Sequence, residues 1–219
     1  MCIRDRLNAA VCYALAGWDK TAQLPLLITD GCNAQYLTTD AKYQNPYLAR
    51  LTGVPMLTAD PMAQWSAKQG LKKAILMSPD NEGGIEATDT YAAAFIKAGG
   101  TIVQEVHPTF GTLDFGPFLA QLDQSADTFM TFEPGQDGLH LLQAYQNYAG
   151  QKKYAILDFI GGMTDAPSLA QEKDAAVGVV SGQYYNPIAS TPAFQKLAAA
   201  WKAKYPGRVL SNNVIQTYS

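Results

Sequence analysis

The chain has 219 residues, 47% of them hydrophobic, and its mixed charges sum to a formal net charge of -3. This length is sufficient for a substantial core in one or two domains. No basic run or stripe is present that could neutralise a phosphate backbone, which argues against nucleic acid as a partner.

The first eighteen residues fit two interpretations. As a secretion signal, MCIRDR would be the charged region, LNAAVCYALA the apolar core and ALAG the cleavage site. The alternative is an amphipathic helix over 8–21 that leads directly into a strand. We favour the helix, because a mature protein beginning at Trp18 would open on an unsupported buried strand. Residues 1–6 fit neither a helix nor a strand, and we interpret them as a foreign or artefactual start.

The stretch PLLITDGCNAQYLTTDAKYQNPY is an apolar run that ends in a polar, turn-forming loop. Leu26–Ile28 form a continuous apolar segment typical of a strand buried on both faces, and Asp30, Gly31 and Asn33 break it. Ligands in open α/β sheets bind beyond the carboxyl ends of strands. We therefore predict that this loop forms one wall of a ligand cleft.

The cysteines stand at positions 2, 12 and 32, and no CxxC or Cys/His spacing suggests zinc. We interpret Cys12 as a small core residue in preference to half of a bridge. Cys32, in the loop, is either a reactive thiol or a small filler.

The rest of the chain alternates strands and helices. Strands are predicted at 47–51, 73–77, 101–106, 127–132, 154–157 and 177–183. Helices are predicted at 60–70, where Asp60 and Pro61 read as a helix start, and at 85–98, 115–122, 135–148, 167–171 and 191–205.

From residue 73 onward, the strand starts lie about 23 to 28 residues apart, which is the length of a βα unit with a right-handed crossover. The predicted fold class is therefore α/β, with a mostly parallel sheet flanked by helices on both faces. The tail over 211–219 begins a further element and stops, which indicates a truncated chain.

No recognisable catalytic motif is present. The only histidines, His107 and His140, stand at a strand end and in a helix, and neither is interpreted as a base. Carboxylates at predicted strand ends could serve acid/base chemistry or a divalent ion, but capping of helix starts and solvation of loops are the stronger explanation. These residues are Asp30, Asp80, Glu82, Glu133, Asp158 and Asp165.

Aromatic residues occur at the same strand ends. Each alone is more typical of packing, but together with the polar loops they predict a cleft that stacks on a small molecule. They are Tyr36, Phe132, Phe159, Tyr184 and Tyr185.

Five segments, in order, resemble the type I periplasmic binding proteins, specifically the branched-chain amino acid type substrate-binding proteins of ABC transporters. They are PLLITDGCNAQYLT, NPYLARLT, KKAILMSPDNEGG, AGGTIVQEVHPTFGTLDFGPFLAQL and GVVSGQYYNPIASTPAFQKLAAAWKAKYPGR. The fourth is the most specific, because the family pattern has a Gly-Gly, a strand, a Gly-Thr-x-Asp-Phe and a helix at that spacing. The resemblance covers 7–218.

The resemblance implies a two-lobed fold that closes on its ligand. Lobe one would comprise 7–56 plus 187–219 and be incomplete, and lobe two would comprise 57–186, with hinges near 52–58 and 184–188. The chain would be an internal fragment of a monomeric protein without enzymatic activity, cofactor or metal. That protein would be a periplasmic or cell-surface lipoprotein that delivers a small-molecule ligand to a membrane permease of the ABC transporter type.

The resemblance also assigns ligand contacts. Lobe one would use a helix start and the loop after the next strand, whereas lobe two would use the turns after its strands. Glu82 stands where the family commonly has Tyr, and Gly135 cannot stack, so Phe132 and Phe159 are expected to compensate. The assigned residues are Asn8, Gly31, Cys32, Asn33, Asp80, Glu82, Phe132, Gly135, Asp158, Phe159 and Tyr185.

The ligand class stays open between amino acids or amides and aromatic acids. Trp65, the segment 112–115 and the YYNP sequence also resemble the branch of the family that binds aromatic carboxylates. Two other functions remain alternatives: a sensory or regulatory ligand-binding domain with the same fold, and an α/β enzyme that uses carboxylates such as Asp80 and Asp158.

Overall fold

The computed structural model describes residues 9–29, 32, 34–148, 154–184, 191–211 and 214–215. Helices and strands alternate along this part of the chain. In order they are α1 (Ala9–Ala22), β1 (Leu26–Ile28), β2 (Leu48–Arg50), α2 (Met56–Lys68), β3 (Lys73–Met77), α3 (Glu82–Lys97), β4 (Thr101–Val106), α4 (Gly116–Leu119), β5 (Thr128–Thr131), α5 (Gln136–Gln146), β6 (Ala155–Asp158), α6 (Ala166–Glu172), a short 3-10 helix (Lys173–Ala176), β7 (Val180–Ser181) and α7 (Pro192–Lys204).

Five strands form one parallel sheet in the order β4-β3-β5-β6-β7. Its central strands β3 and β5 are buried on both faces, because helices cover the sheet from either side. Neighbouring residues therefore belong to different cores: Leu76 and Met130 pack under α2 and α3, whereas Ile75 and Phe129 pack with α4 and α5. This arrangement confirms the predicted parallel sheet covered on both faces.

A second, two-stranded parallel sheet pairs β1 with β2, Leu26 lying opposite Leu48. Helix α1 covers one face of the pair, where Ile28 is buried in a small core with Ala16 and Leu37. The prediction that β1 is buried on both faces is wrong, because Leu27 is 46% exposed. Successive side chains of a strand alternate in direction, and no described element covers the second face.

Cys12 and Cys32 form a disulfide with Cα atoms 6.2 Å apart. This corrects both predictions, since Cys12 is half of a bridge and Cys32 is neither a free thiol nor a filler. The bridge joins the buried face of α1 to the loop after β1. Their spacing along the chain gave no signal, because the two residues meet only when α1 packs on β1.

Several predicted boundaries are also corrected. Helix α2 begins at Met56, four residues before the predicted start at Asp60, and contains Pro61 within it; Pro55 occupies the N-cap instead. Pro61 falls in the second turn, where its missing N–H removes one helical hydrogen bond near the helix start. Strand β7 spans only two residues, because the chain preceding it forms the 3-10 helix and then turns at Gly178, with φ +91°.

Two further helices also differ in length from the prediction. Helix α3 begins at Glu82, three residues early, because Asn81 caps it by accepting the N–H of Gly84. Helix α4 is a single turn, Gly116–Leu119. Within the described residues, no helix is both long and apolar enough to cross a membrane.

Candidate functional site

The start of α1 lies against the start of α3, and the loop after β1 borders the same junction. Gly83 lies so close to α1 that an added Cβ would stand 3.3 Å from the Cβ of Ala9. Of the predicted wall loop, Cys32 is fully buried. The predicted ligand residues Asn8, Gly31, Asn33 and Tyr185 lie outside the described residues.

The Arg50 guanidinium holds this loop in place. Its Nη1 donates to the Ala34 carbonyl at 2.6 Å, and its Nη2 donates to the carbonyls of Cys32 at 2.7 Å and Gly53 at 3.0 Å. Burial lowers the pKa of Arg50. No ion pair joins Arg50 to a carboxylate among the described residues. A partly buried positive charge therefore lies directly behind the predicted wall loop.

Glu86, on the second turn of α3, bridges to the N-terminal part of the chain. Its two carboxylate oxygens each lie 2.7 Å from the hydroxyl oxygen of Tyr13, and Oε2 accepts the backbone N–H of Gln35 at 2.8 Å. Burial raises the pKa of Glu86, and these two hydrogen bonds oppose that rise. The Tyr13 oxygen in turn accepts the N–H of Tyr36 at 3.2 Å.

A second buried carboxyl group lies at the carboxyl end of β5. Glu133 is 1% exposed, and its Oε1 has no hydrogen-bond partner among the described residues. Burial raises its pKa to about 9, and the nearby Asp137 carboxylate adds to the rise. Asp137 itself accepts the N–H of Gly111 at 2.8 Å. Glu133 is therefore a neutral acid at pH 7, placed at the central strand end.

Asp158 is fully buried and holds the loop that follows β6. Its oxygens accept the N–H groups of Gly162 and Met163 at 3.1 Å and that of Thr164 at 3.0 Å, together with the Thr164 hydroxyl at 2.8 Å. Burial raises its pKa to about 6, and these hydrogen bonds limit the rise. With four donors in place, Asp158 shapes the loop in this structure and presents no free oxygen to a ligand.

The predicted aromatic contacts are packed into the core. Phe159 is fully buried beside Tyr91, at 6.0 Å between ring centroids, and Phe132 is 6% exposed and meets the edge of Phe159. In this structure both rings fill the core under α2 and α3, so neither supplies the open ring face expected of a compensating contact. A role in ligand binding remains a prediction for both residues.

The remaining predicted residues lie at exposed turns. Asp80 and Glu82 are exposed at the start of α3, and Gly135 caps α5 with a positive φ of 65°. Asp80 follows β3 and Asp158 ends β6, and strand β5 lies between those strands. No group of three potential metal ligands occurs among the described residues.

Sequence reasoning missed Arg50, Glu86 and Tyr13. Arg50 follows an apolar pair in a short extended segment, where no local pattern indicates that a cation will be partly buried. Glu86 belongs to an otherwise ordinary first stretch of helix. The Tyr13 hydrogen bond spans 73 positions, so only the packing of α1 on α3 brings the two residues together.

A family model described as periplasmic binding protein matches residues 3–219. A Leu/Ile/Val-binding protein homolog 6 of Brucella melitensis is 27% identical over 180 residues, which cover 81% of this chain and 45% of the relative. The chain thus spans about half the length of the curated relatives it matches.

Solved structures give the same fold. An ABC transporter substrate-binding protein from Sphaerobacter thermophilus is 28% identical with a TM-score of 0.89, over 97% of this chain and 58% of the other. A solute binding protein of an ABC transporter from R. palustris, in complex with 4-hydroxybenzoate, is 23% identical with a TM-score of 0.84, over 97% of this chain and 57% of the other.

Proposed function

The chain belongs to the periplasmic binding protein family, and we propose on that premise that the protein captures a small organic carboxylate between two lobes and delivers it to an ABC transporter permease. The observation that carries the proposal is Arg50, a partly buried cation directly behind the loop after β1 that forms no ion pair with a carboxylate among the described residues. Because the interior screens charge poorly, such a cation favours an anion nearby. Arg50 acts on the ligand through its electric field and through the loop whose carbonyls it binds, because most of its N–H groups already donate hydrogen bonds within the protein.

The junction of α1 and α3 supports an anionic ligand as well. The first turns of the two helices meet near Ala9 and Gly83, so the positive ends of both helix dipoles lie at this junction. A carboxylate placed there would be stabilised by the positive ends of both helix dipoles. The partly buried Arg50 charge and the helix ends therefore favour the same sign of ligand charge.

We assign lobe one to 7–56 plus 187–219 and lobe two to 57–186. Contacts near the proposed hinges support this division. Gly53 lies against the ring of Tyr184, so closely that an added Cβ would stand 2.6 Å from its Cε1. The Glu86 bridge then joins the two lobes across the proposed cleft, and we interpret it as a latch of the closed arrangement. Domain closure around a hinge is the usual device for trapping a ligand.

The ligand class proposed first is an amino acid, as in the name of the Leu/Ile/Val-binding relative. The R. palustris neighbour binds 4-hydroxybenzoate, and aromatic acids are the second class to test. The proposed protein works outside the cytoplasm, as a monomer, and binds without chemical conversion. Its partner is the membrane permease.

Isothermal titration calorimetry tests the proposal. The panel pairs each acid with the amide that lacks its carboxylate: leucine with leucinamide, and 4-hydroxybenzoate with 4-hydroxybenzamide. We expect heat from at least one acid and much weaker binding of its amide, because the amide loses the carboxylate. Absence of heat with the amino acids and the aromatic acids, or equal affinity for acid and amide, would contradict a carboxylate-binding function.

A further inference from the structure

A small cavity lies between the start of α5 and the helix α6, apart from Arg50 and the α1–α3 junction. Its volume is about 40 Å³. A site of this size accommodates one small ion or a few water molecules, but not an organic ligand. Six residues line it: Gly135, Gln136 and Leu139 on the α5 side, and Ser168, Gln171 and Glu172 on α6.

Glu172 is the unusual member of this lining. The residue is 4% exposed, and neither carboxylate oxygen has a hydrogen-bond partner among the described residues. Burial raises its pKa to about 7, and the charge of Asp158 adds to the rise. A buried carboxylate without donors is costly, so proteins normally pair such a group or place an ion beside it.

The other polar groups of the cavity are neutral. Gln136 Nε2 donates to Gln171 Oε1 at 3.4 Å, a long hydrogen bond between two exposed side chains. Ser168 donates weakly to the Gly162 carbonyl at 3.5 Å, which leaves oxygen lone pairs available. The residues that line the cavity therefore offer one carboxylate together with amide and hydroxyl oxygens, all hard ligands that suit hard cations.

We propose that this cavity binds a small monovalent cation such as Na⁺, with the Glu172 carboxylate as its charged ligand and the neutral oxygens of Ser168 and Gln171 beside it. A divalent ion is disfavoured. Ca²⁺ takes six to eight oxygen ligands, typically with several carboxylates, whereas this lining has a single one. None of the lining residues belongs to α1, the loop after β1 or α3, and only Gly135 is shared with the residues that the resemblance assigns to the organic ligand.

The test compares thermal and urea unfolding of the protein in 100 mM NaCl and in 100 mM choline chloride at pH 8, with no organic ligand added. Choline matches the ionic strength but is too large for the cavity. For a dissociation constant of about 10 mM, Na⁺ should lower the unfolding equilibrium constant about tenfold relative to choline. The Glu172→Gln variant should unfold identically in the two salts, because its neutral amide cannot replace the charged ligand.

The matched control is Asp174→Asn, which removes an exposed negative charge two residues away and should keep the full difference between the salts. Equal unfolding of the unsubstituted protein in both salts would overturn the proposal, as would a Na⁺ effect that survives in Glu172→Gln. Sodium-23 NMR gives a second readout that does not depend on the variant folding. The unsubstituted protein should broaden the sodium line and K⁺ should reverse the broadening, whereas an unbroadened line would also refute the site.

Discussion

Replacing Glu86 with alanine tests whether the Tyr13–Glu86–Gln35 bridge is a latch that closes the proposed cleft. The substitution removes two hydrogen bonds to a charged acceptor, from the Tyr13 hydroxyl and the Gln35 N–H. Bonds to charged groups contribute about 1.5 to 3 kcal/mol each. Glu86 is only partly buried, so the lower end of this range applies, which gives about 3 kcal/mol for the pair.

The effect of this loss depends on when the bridge forms. If the bridge exists only in the closed arrangement, the substitution destabilises that arrangement by the full amount, and ligand affinity should drop about 100-fold. If the bridge persists in the open arrangement, affinity should hardly change and only the free energy of unfolding should fall. The two results are therefore distinguishable.

The assay combines calorimetric titration with urea unfolding of the ligand-free protein. Glu86→Gln keeps an acceptor oxygen and should lose less affinity than Glu86→Ala. Asp89→Ala removes an exposed carboxylate from the same helix and serves as the control for charge. An affinity for Glu86→Ala within threefold of the unsubstituted protein would refute the latch, whatever happened to stability.

Three further predictions concern stability and the loop after β1. The folded-state pKa of Glu133, about 9, exceeds its ordinary value of 4.5, so the folded protein retains a proton that the unfolded chain releases, and stability should fall as the pH rises through this window. Glu133→Gln should flatten that pH dependence and raise the free energy of unfolding by about 3 kcal/mol at pH 7, measured by urea unfolding. An unchanged pH profile of stability would contradict a buried neutral acid at this position. Replacing Cys12 and Cys32 together with alanine opens a loop of 20 residues, and we expect a loss of about 3 kcal/mol that a reductant reproduces in the unsubstituted protein only. Arg50→Met leaves three backbone carbonyls without their donor and should cost at least about 2 kcal/mol and weaken ligand binding, with Arg50→Lys intermediate; unaltered binding would argue against the role of this cation.

The elements that the sequence predicted well are those with strong local signals. The strands over 73–77 and 101–106 have the predicted bounds, because apolar runs there end at unambiguous turns. Helix α7 begins after the Thr191 cap, as the Thr-Pro start indicates. The order of such segments was sufficient to identify the family and its parallel sheet.

Where two local signals competed, the sequence misplaced the boundary. Both Pro55 and Pro61 are acceptable near a helix start, and only the packing of Thr58 and Ala59 into the interior brings the first turn of α2 forward to Met56. Likewise, the apolar residues of β1 are typical of a strand buried on both faces. Their actual burial depends on which face of the strand α1 covers.

By itself, the sequence determined the succession of strands and helices, the parallel sheet and the family, because these follow from short-range periodicity and turn chemistry. Only the tertiary structure decided the Cys12–Cys32 bridge, the Arg50 contacts with the loop, the hydrogen bonds of Glu86 to Tyr13 and Gln35, and the carboxylate of Glu172 that has no described partner. Each of these depends on which side chains meet across elements distant in sequence, and on the water that is excluded when they pack. No local pattern of residues determines either these contacts or the exclusion of water.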